Sequence, residues 1–159
     1  MKGKLTTIIL LIILLCTSES SIAQLKGFSI GPYFEAAWPK GDFLEKNRNG
    51  IGLGIAADIK LGAGINLTGS AGYLRFFGRS DGKPLPAFPV RIGLKYKLPI
   101  IYLKMESGTA RMGNDQGTAL ILSPGIGVRI FGLDVQGSYE SWLADEGRSF
   151  AALKIAYHF

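Results

Sequence analysis

The stretch Ile51-Gly-Leu-Gly-Ile-Ala-Ala-Asp-Ile-Lys-Leu61 decides the fold. Its odd positions are Ile51, Leu53, Ile55, Ala57, Ile59 and Leu61; its even positions are Gly52, Gly54, Ala56, Asp58 and Lys60. Apolar residues at every second place mark a strand whose side chains alternate between two faces. The segment from Phe88 to Leu98 repeats the pattern. Phe88, Val90, Ile92, Leu94, Tyr96 and Leu98 form one face, and Pro89, Arg91, Gly93, Lys95 and Lys97 the other.

Extended along the chain, the alternation predicts eight strands, at 27–38, 50–61, 65–77, 88–98, 101–110, 119–131, 133–142 and 148–159. Most reach the length a tilted membrane strand needs. In the third, the apolar phase holds on odd positions to Tyr73 and breaks at Leu74 and Phe76, which suggests a bulge. The connections after strands two, four and six are short: Gly62-Ala63-Gly64, Pro99-Ile100 and Gly132. Those after strands one, three, five and seven are longer and polar: Pro39–Asn49, Gly78–Ala87, Arg111–Thr118 and Leu143–Gly147. Short turns at one end and long loops at the other predict an all-β, eight-stranded, antiparallel up-and-down transmembrane barrel. Its even strand count places both termini at the short-turn, periplasmic end.

Composition agrees. The 159 residues are 47% hydrophobic and 19% charged, with 22 glycines, which excludes a disordered chain. No apolar run reaches the 18 or more residues of a membrane helix. Residues 1–23 read as a cleavable secretory signal, with Lys2 and Lys4 ahead of an apolar run from Ile8 to Cys16 and Ser21-Ile22-Ala23 before the cut. Cleavage between Ala23 and Gln24 leaves 24–159 as one barrel domain. The apolar run is short for an uncleaved anchor. Leu15, before Cys16, is too large for lipoprotein processing. Cys16 is the only cysteine, so the mature chain has no disulfide, thiol nucleophile or thiolate metal site. The net charge of +6 is scattered rather than clustered, and an exported protein rarely meets nucleic acid, so none is expected as a partner.

Alternation alone leaves a soluble, lipocalin-like barrel open, with its apolar face turned inward around a ligand. Three features favour the membrane. Aromatic residues gather near both strand ends: Trp38, Phe76, Phe77, Phe88, Trp142 and Phe150 towards the long loops, and Phe28, Tyr96, Tyr102, Phe131, Tyr157 and Phe159 towards the short turns. Two interfacial girdles are expected. The polar face carries Glu35, Asp58, Lys60, Arg91, Lys95, Lys97, Lys104, Glu106, Arg129, Asp134, Glu140 and Lys154, seven basic residues against five acidic. Those charges suit no apolar ligand. In a lumen only wide enough for side chains they must pair, which predicts a plug rather than a channel. Finally, Leu153, Ile155, Tyr157 and the terminal Phe159 alternate to the last residue. That ending resembles the signal by which assembly machinery recognises and inserts outer-membrane barrels.

The chain thus resembles the small outer-membrane β-barrel proteins common in Bacteroidota, related in architecture to the OmpA and OmpX barrels. The resemblance covers essentially all of 24–159. It is carried by Pro39-Lys40-Gly41-Asp42-Phe43, Gly50-Ile51-Gly52-Leu53-Gly54, Phe88-Pro89-Val90, Ile101-Tyr102-Leu103 and Ser123-Pro124-Gly125-Ile126-Gly127. It implies a fold and an outer-membrane location, and no catalytic residue.

No motif supplies chemistry. Gly52-Leu-Gly54-Ile-Ala-Ala57 imitates a dinucleotide fingerprint, but it is itself a strand, and Leu74 stands where the acidic residue belongs. His158 is the only histidine, so clusters of several histidines are excluded. Asn114, Asp115, Asp145 and Glu146 offer loop oxygens of the kind that hold Ca²⁺, and solvated loop polarity is their ordinary reading. A hydrolase on such a barrel needs a general base near the outer rim, whereas His158 belongs inside at the short-turn rim. The expectation is a monomeric, non-enzymatic barrel without cofactor or resident metal. Its surroundings are outer-membrane lipid, its transient partner the assembly machinery, and its role structural or loop-mediated binding. The alternative is a narrow pore for small solutes or ions.

Overall fold

The computed structural model describes residues 27–79, 83–144 and 147–159. The signal segment with its Ala23–Gln24 cleavage site, and loop residues Asp145 and Glu146, lie outside them. Eight strands follow in order: β1 (Phe28–Lys40), β2 (Asn47–Gly62), β3 (Ile65–Gly78), β4 (Leu85–Lys97), β5 (Ile101–Met112), β6 (Thr118–Ile130), β7 (Leu133–Leu143) and β8 (Arg148–Tyr157). Each pairs antiparallel with the next, and β1 closes on β8 from Tyr33 opposite Ala156 to Lys40 opposite Ser149. Among the described residues the sheet closes on itself, as a chain in hydrocarbon requires.

Two short turns show how local chemistry sets this layout. At Ala63-Gly64 and Phe131-Gly132 both residues have positive φ, 48° and 78° in the first and 48° and 84° in the second. This mirror-image turn matches the right-handed twist of the strands it joins. Only the second position of each is glycine, so Ala63 and Phe131 bear a modest left-handed strain. At the other end the ladders climb further than alternation suggests. The ladder of β2 begins at Asn47 through a register shift between Asn47 and Gly50. A five-residue helix, α1 (Asp42–Lys46), fills the loop beneath it.

The bulge expected in β3 at Leu74 and Phe76 does not form. Ala71 faces Val90 and Leu74 faces Ala87 in one unbroken register with β4. Leu74 and Phe76 keep the inward phase and are fully buried. What changes there is the lumen, which turns apolar towards the long loops.

The outer wall is apolar. Leu53, Ile55, Val90 and Ile92 are each more than half exposed. A continuous apolar surface of this kind suits hydrocarbon rather than water. The soluble, lipocalin-like alternative needs these side chains inside, so it is overturned. Among the described residues, no helix is long and apolar enough to cross a membrane. The girdles also need correcting. Trp38, Phe77 and Phe88 face outward near the long loops, and Tyr96, Tyr157 and Phe159 near the short turns. Phe76, Trp142, Phe150 and Tyr102 are instead buried inside the barrel.

Candidate functional site

The lumen is built in layers, because inward positions of successive strands fall at matching heights. Ten of the twelve charges on the polar face lie within it. Glu35, Asp58, Arg91, Lys95, Lys104, Glu106, Asp134, Glu140 and Lys154 are buried, and Arg129 is half-buried. Lys60 and Lys97 share the inward phase, yet both are exposed. They occupy the last turns of β2 and β4, where the strands outrun the packed interior and an ammonium stays hydrated. Without them, five basic residues face five acidic ones. The apparent basic excess of the polar face belongs to its rim.

Nearest the short turns, Asp58 Oδ2 accepts from Lys95 Nζ at 2.7 Å and from Arg129 Nη2 at 2.6 Å. Asp134 Oδ2 accepts from Arg129 Nε at 2.8 Å and from Lys95 Nζ at 3.3 Å. The Tyr102 hydroxyl donates to the other oxygen of Asp134, and Lys95 Nζ stands 4.4 Å above the Tyr102 ring. His158 caps this layer, just past the end of β8. Burial and the neighbouring Arg129 cation hold it down at about 4, so the imidazole is neutral near pH 7. Asp58, Asp134 and His158 place ligand atoms within 4.8 Å of one another, a cluster that sequence spacing did not reveal. Both carboxylates are already neutralised by Lys95 and Arg129, so they belong to an ion-pair network that the neutral imidazole caps. The loop oxygens of Asn114 and Asp115 are not in that cluster.

In the middle layer Arg91 holds two carboxylates. Its Nε and Nη2 donate to Glu140 at 2.9 Å each, and Nη2 reaches Glu35 at 3.2 Å. Trp142 Nε1 donates to Glu140 at 2.6 Å, tying this layer to the apolar one above. Lys104 Nζ lies 3.0 Å from Glu106 and donates to Gln136 at 3.1 Å. Lys154, paired in register with Glu35, sets its ammonium 4.6 Å over the Tyr33 ring. Buried charges persist only when matched in this way.

Above them lies an aromatic layer. Phe76, Trp142 and Phe150 meet edge-on, with ring centroids 5.1–6.0 Å apart. Phe43 comes down from α1 onto Phe76 at 4.8 Å. Leu74, Leu85, Met112 and Ile121 complete the layer. In the sequence Phe43 falls in a long polar loop, and nothing in its spacing marks it as a cork.

Over this cork opens a vestibule of about 900 Å³. Among the described residues, Lys46, Arg79, Lys83 and Arg148 line it together with Asp42. Arg148 donates to Gln116 at 2.9 Å, and Asn114 donates to the Pro84 carbonyl at 2.9 Å, so the loops are cross-braced. Asp81, Asp145 and Glu146 belong to the same loops and lie outside the described residues. The four residues Leu153, Ile155, Tyr157 and Phe159 all face outward along the last strand and its end.

No protein-family model matches the chain, and no curated protein matches it. Solved structures do. The N-terminal β-barrel domain of Pseudomonas aeruginosa OprF is 12% identical over 82% of this chain and 97% of that one, with a TM-score of 0.58. Ail, the attachment invasion locus protein of Yersinia pestis, in complex with the heparin analogue sucrose octasulfate, is 19% identical over 84% and 97%, with a TM-score of 0.55. A de novo designed transmembrane β-barrel is 17% identical over 84% and 96%, with a TM-score of 0.56. At such identities the likeness is one of fold: this chain has the architecture of small barrels that cross membranes.

Proposed function

We propose that the chain is a non-conducting, non-enzymatic barrel of the bacterial outer membrane that binds an anionic ligand in its long-loop vestibule. The observation that carries this reading is the contrast along one axis. The lumen is closed by a five-to-five charge network beneath an aromatic layer, while the mouth above it is open and, among the described residues, lined by four basic side chains and one acidic one. A closed lumen favours binding over conduction, the alternative reading.

Export by the segment 1–23, periplasmic termini and loops at the cell surface complete the proposal. Assembly machinery would read the outward Leu153, Ile155, Tyr157 and Phe159, and the barrel would work as a monomer in outer-membrane lipid. The motifs quoted above support a place among the Bacteroidota barrels. The Ail structure with sucrose octasulfate supplies a suitable probe, since a dense polyanion matches a vestibule rich in Lys and Arg.

The test is titration of the detergent-refolded protein with sucrose octasulfate. Saturable binding that weakens as salt rises is expected. Changing Lys46 and Lys83 to glutamine together should weaken it about ten-fold, the effect of losing about 1.4 kcal/mol. Lys60→Gln, at the opposite rim, should leave it unchanged. Absence of saturable binding, or equal loss in both variants, would defeat the reading.

A further inference from the structure

We propose that the outer wall at the top of β2 and β3 carries a site for a phosphorylated, multiply acylated lipid of the outer leaflet. Arg48, Arg75 and Arg79 would take its phosphates, and Leu44 and Phe77 the first methylenes of its chains.

The outward faces near the long loops are not charged evenly. Arg48, Arg75 and Arg79, three of the chain's seven arginines, lie on β2, on β3 and one residue beyond β3. At the same end, Lys40 of β1 and Arg111 of β5 are single outward cations, while Thr118 and Leu120 of β6, Leu143 of β7 and Ser149 and Ala151 of β8 carry no charge. The register shift between Asn47 and Gly50 leaves both Arg48 and Asn49 exposed. These two, with Leu44, Phe77, Gly78 and Arg79, line a groove of about 610 Å³ that is separate from the vestibule. Arg79 lines both cavities, and its Nη1 donates to the Leu44 carbonyl at 3.3 Å, which anchors the guanidinium at the groove's edge.

Arg75 adds a second argument. It faces outward on β3, between Ile51 and Pro86 in register and two residues below Phe77. A cation on the lipid-facing wall beneath an aromatic girdle must stretch to the interface and find an anion there. Phe77, two residues above it, and Leu44, across the groove from Phe77, are both about two-fifths exposed, and Arg75 itself stands on the wall below the groove. Apolar walls flanked by cations fit an amphiphile, whereas a soluble anion gains nothing from them. That all three cations are arginine points to phosphate, which their planar forks grip bidentately. Three of them outnumber what a single phosphodiester can satisfy, so a lipid with more than one phosphate fits best. Among the described residues, Glu45 on α1 is the acidic residue nearest Arg48 in sequence, and it does not line the groove; Asp81, two residues past Arg79, lies outside them.

The inference rests on the orientation proposed above, with the long loops outward. Binding in nanodiscs does not depend on that orientation. A failure there therefore differs from a failure of the orientation, which protease shaving of whole cells would reveal.

The experiment uses the folded barrel in phosphatidylcholine nanodiscs doped with bis-phosphorylated, hexa-acylated glucosamine disaccharide lipid. Lipids that stay bound are read by native mass spectrometry. One retained copy is expected, falling about ten-fold in R48Q/R75Q/R79Q while heat-modifiable gel mobility shows that the variant still folds. Arg111→Gln, an outward arginine on β5, should retain the lipid like the parent. The same lipid stripped of phosphate should not be retained. Equal retention of phosphatidylglycerol, displacement of the lipid by inorganic phosphate alone, or no difference between the triple variant and Arg111→Gln would each overturn the proposal.

Discussion

Replacing Arg91 with leucine is expected to cost the folded barrel about 3–5 kcal/mol, the penalty for removing one partner of a buried charge cluster. Arg91 is the hub of the middle layer, with Glu140 at 2.9 Å and Glu35 at 3.2 Å, and all three side chains are at most 1% exposed. Leucine would leave the two carboxylates without the guanidinium that joins them. The energy lies in that mismatch more than in the pair itself, because taking charges out of water consumes most of what their attraction returns. The triple variant R91M/E35Q/E140Q should therefore recover most of the loss. Urea unfolding from lipid vesicles, followed by tryptophan fluorescence, measures both. A single variant as stable as the parent, or a triple variant as unstable as the single one, would show that the network does not hold the lumen in this way.

A methyl group at residue 31 should do greater damage. Gly31 sits on the seam where the first and last strands meet, and a Cβ there would fall within the carbonyl oxygen of Tyr157, with the His158 Cα 3.1 Å away. Both obstacles are backbone, so no rotamer relieves them, and the strands must separate. Gly31→Ala is expected to abolish the compact, heat-modifiable form on gels. Gly137→Ala, where a Cβ meets nothing within 4 Å, should fold like the parent. A compact Gly31→Ala barrel would mean that the seam closes by some other register.

Strand number and location were legible because period-two alternation survives in every segment from Ile51–Leu61 to Leu153–Phe159. Which charges pair was not. Lys95 and Asp58 are 37 residues apart, Arg91 and Glu140 49, and Arg129 and Asp58 71. Only closure of the barrel brings them together. The aromatic cork was half legible. Phe76 keeps phase with Leu74, and Trp142 with Glu140, which places both inward. The expectation of an interfacial girdle concealed that parity. Phe43 gave no signal at all, since its burial depends on α1 bending into the mouth.

Lys60 and Lys97 show the complementary limit. Parity assigns a residue to a face, but not to a depth. The charge balance of the lumen became visible only once these two proved to lie beyond the packed layers. The same holds for Arg75, whose outward parity is plain in the sequence. Its height on the wall, opposite Ile51 and Pro86, needs the registers with β2 and β4.

The central claim is a membrane barrel whose lumen is shut by matched charges. Single-channel recording of the purified protein in planar lipid bilayers tests it most directly. A sample shown on the same day to be folded by heat-modifiable mobility should give no steady unitary current at any holding voltage. Stable, reproducible conductance steps from that sample would contradict the account and restore the pore.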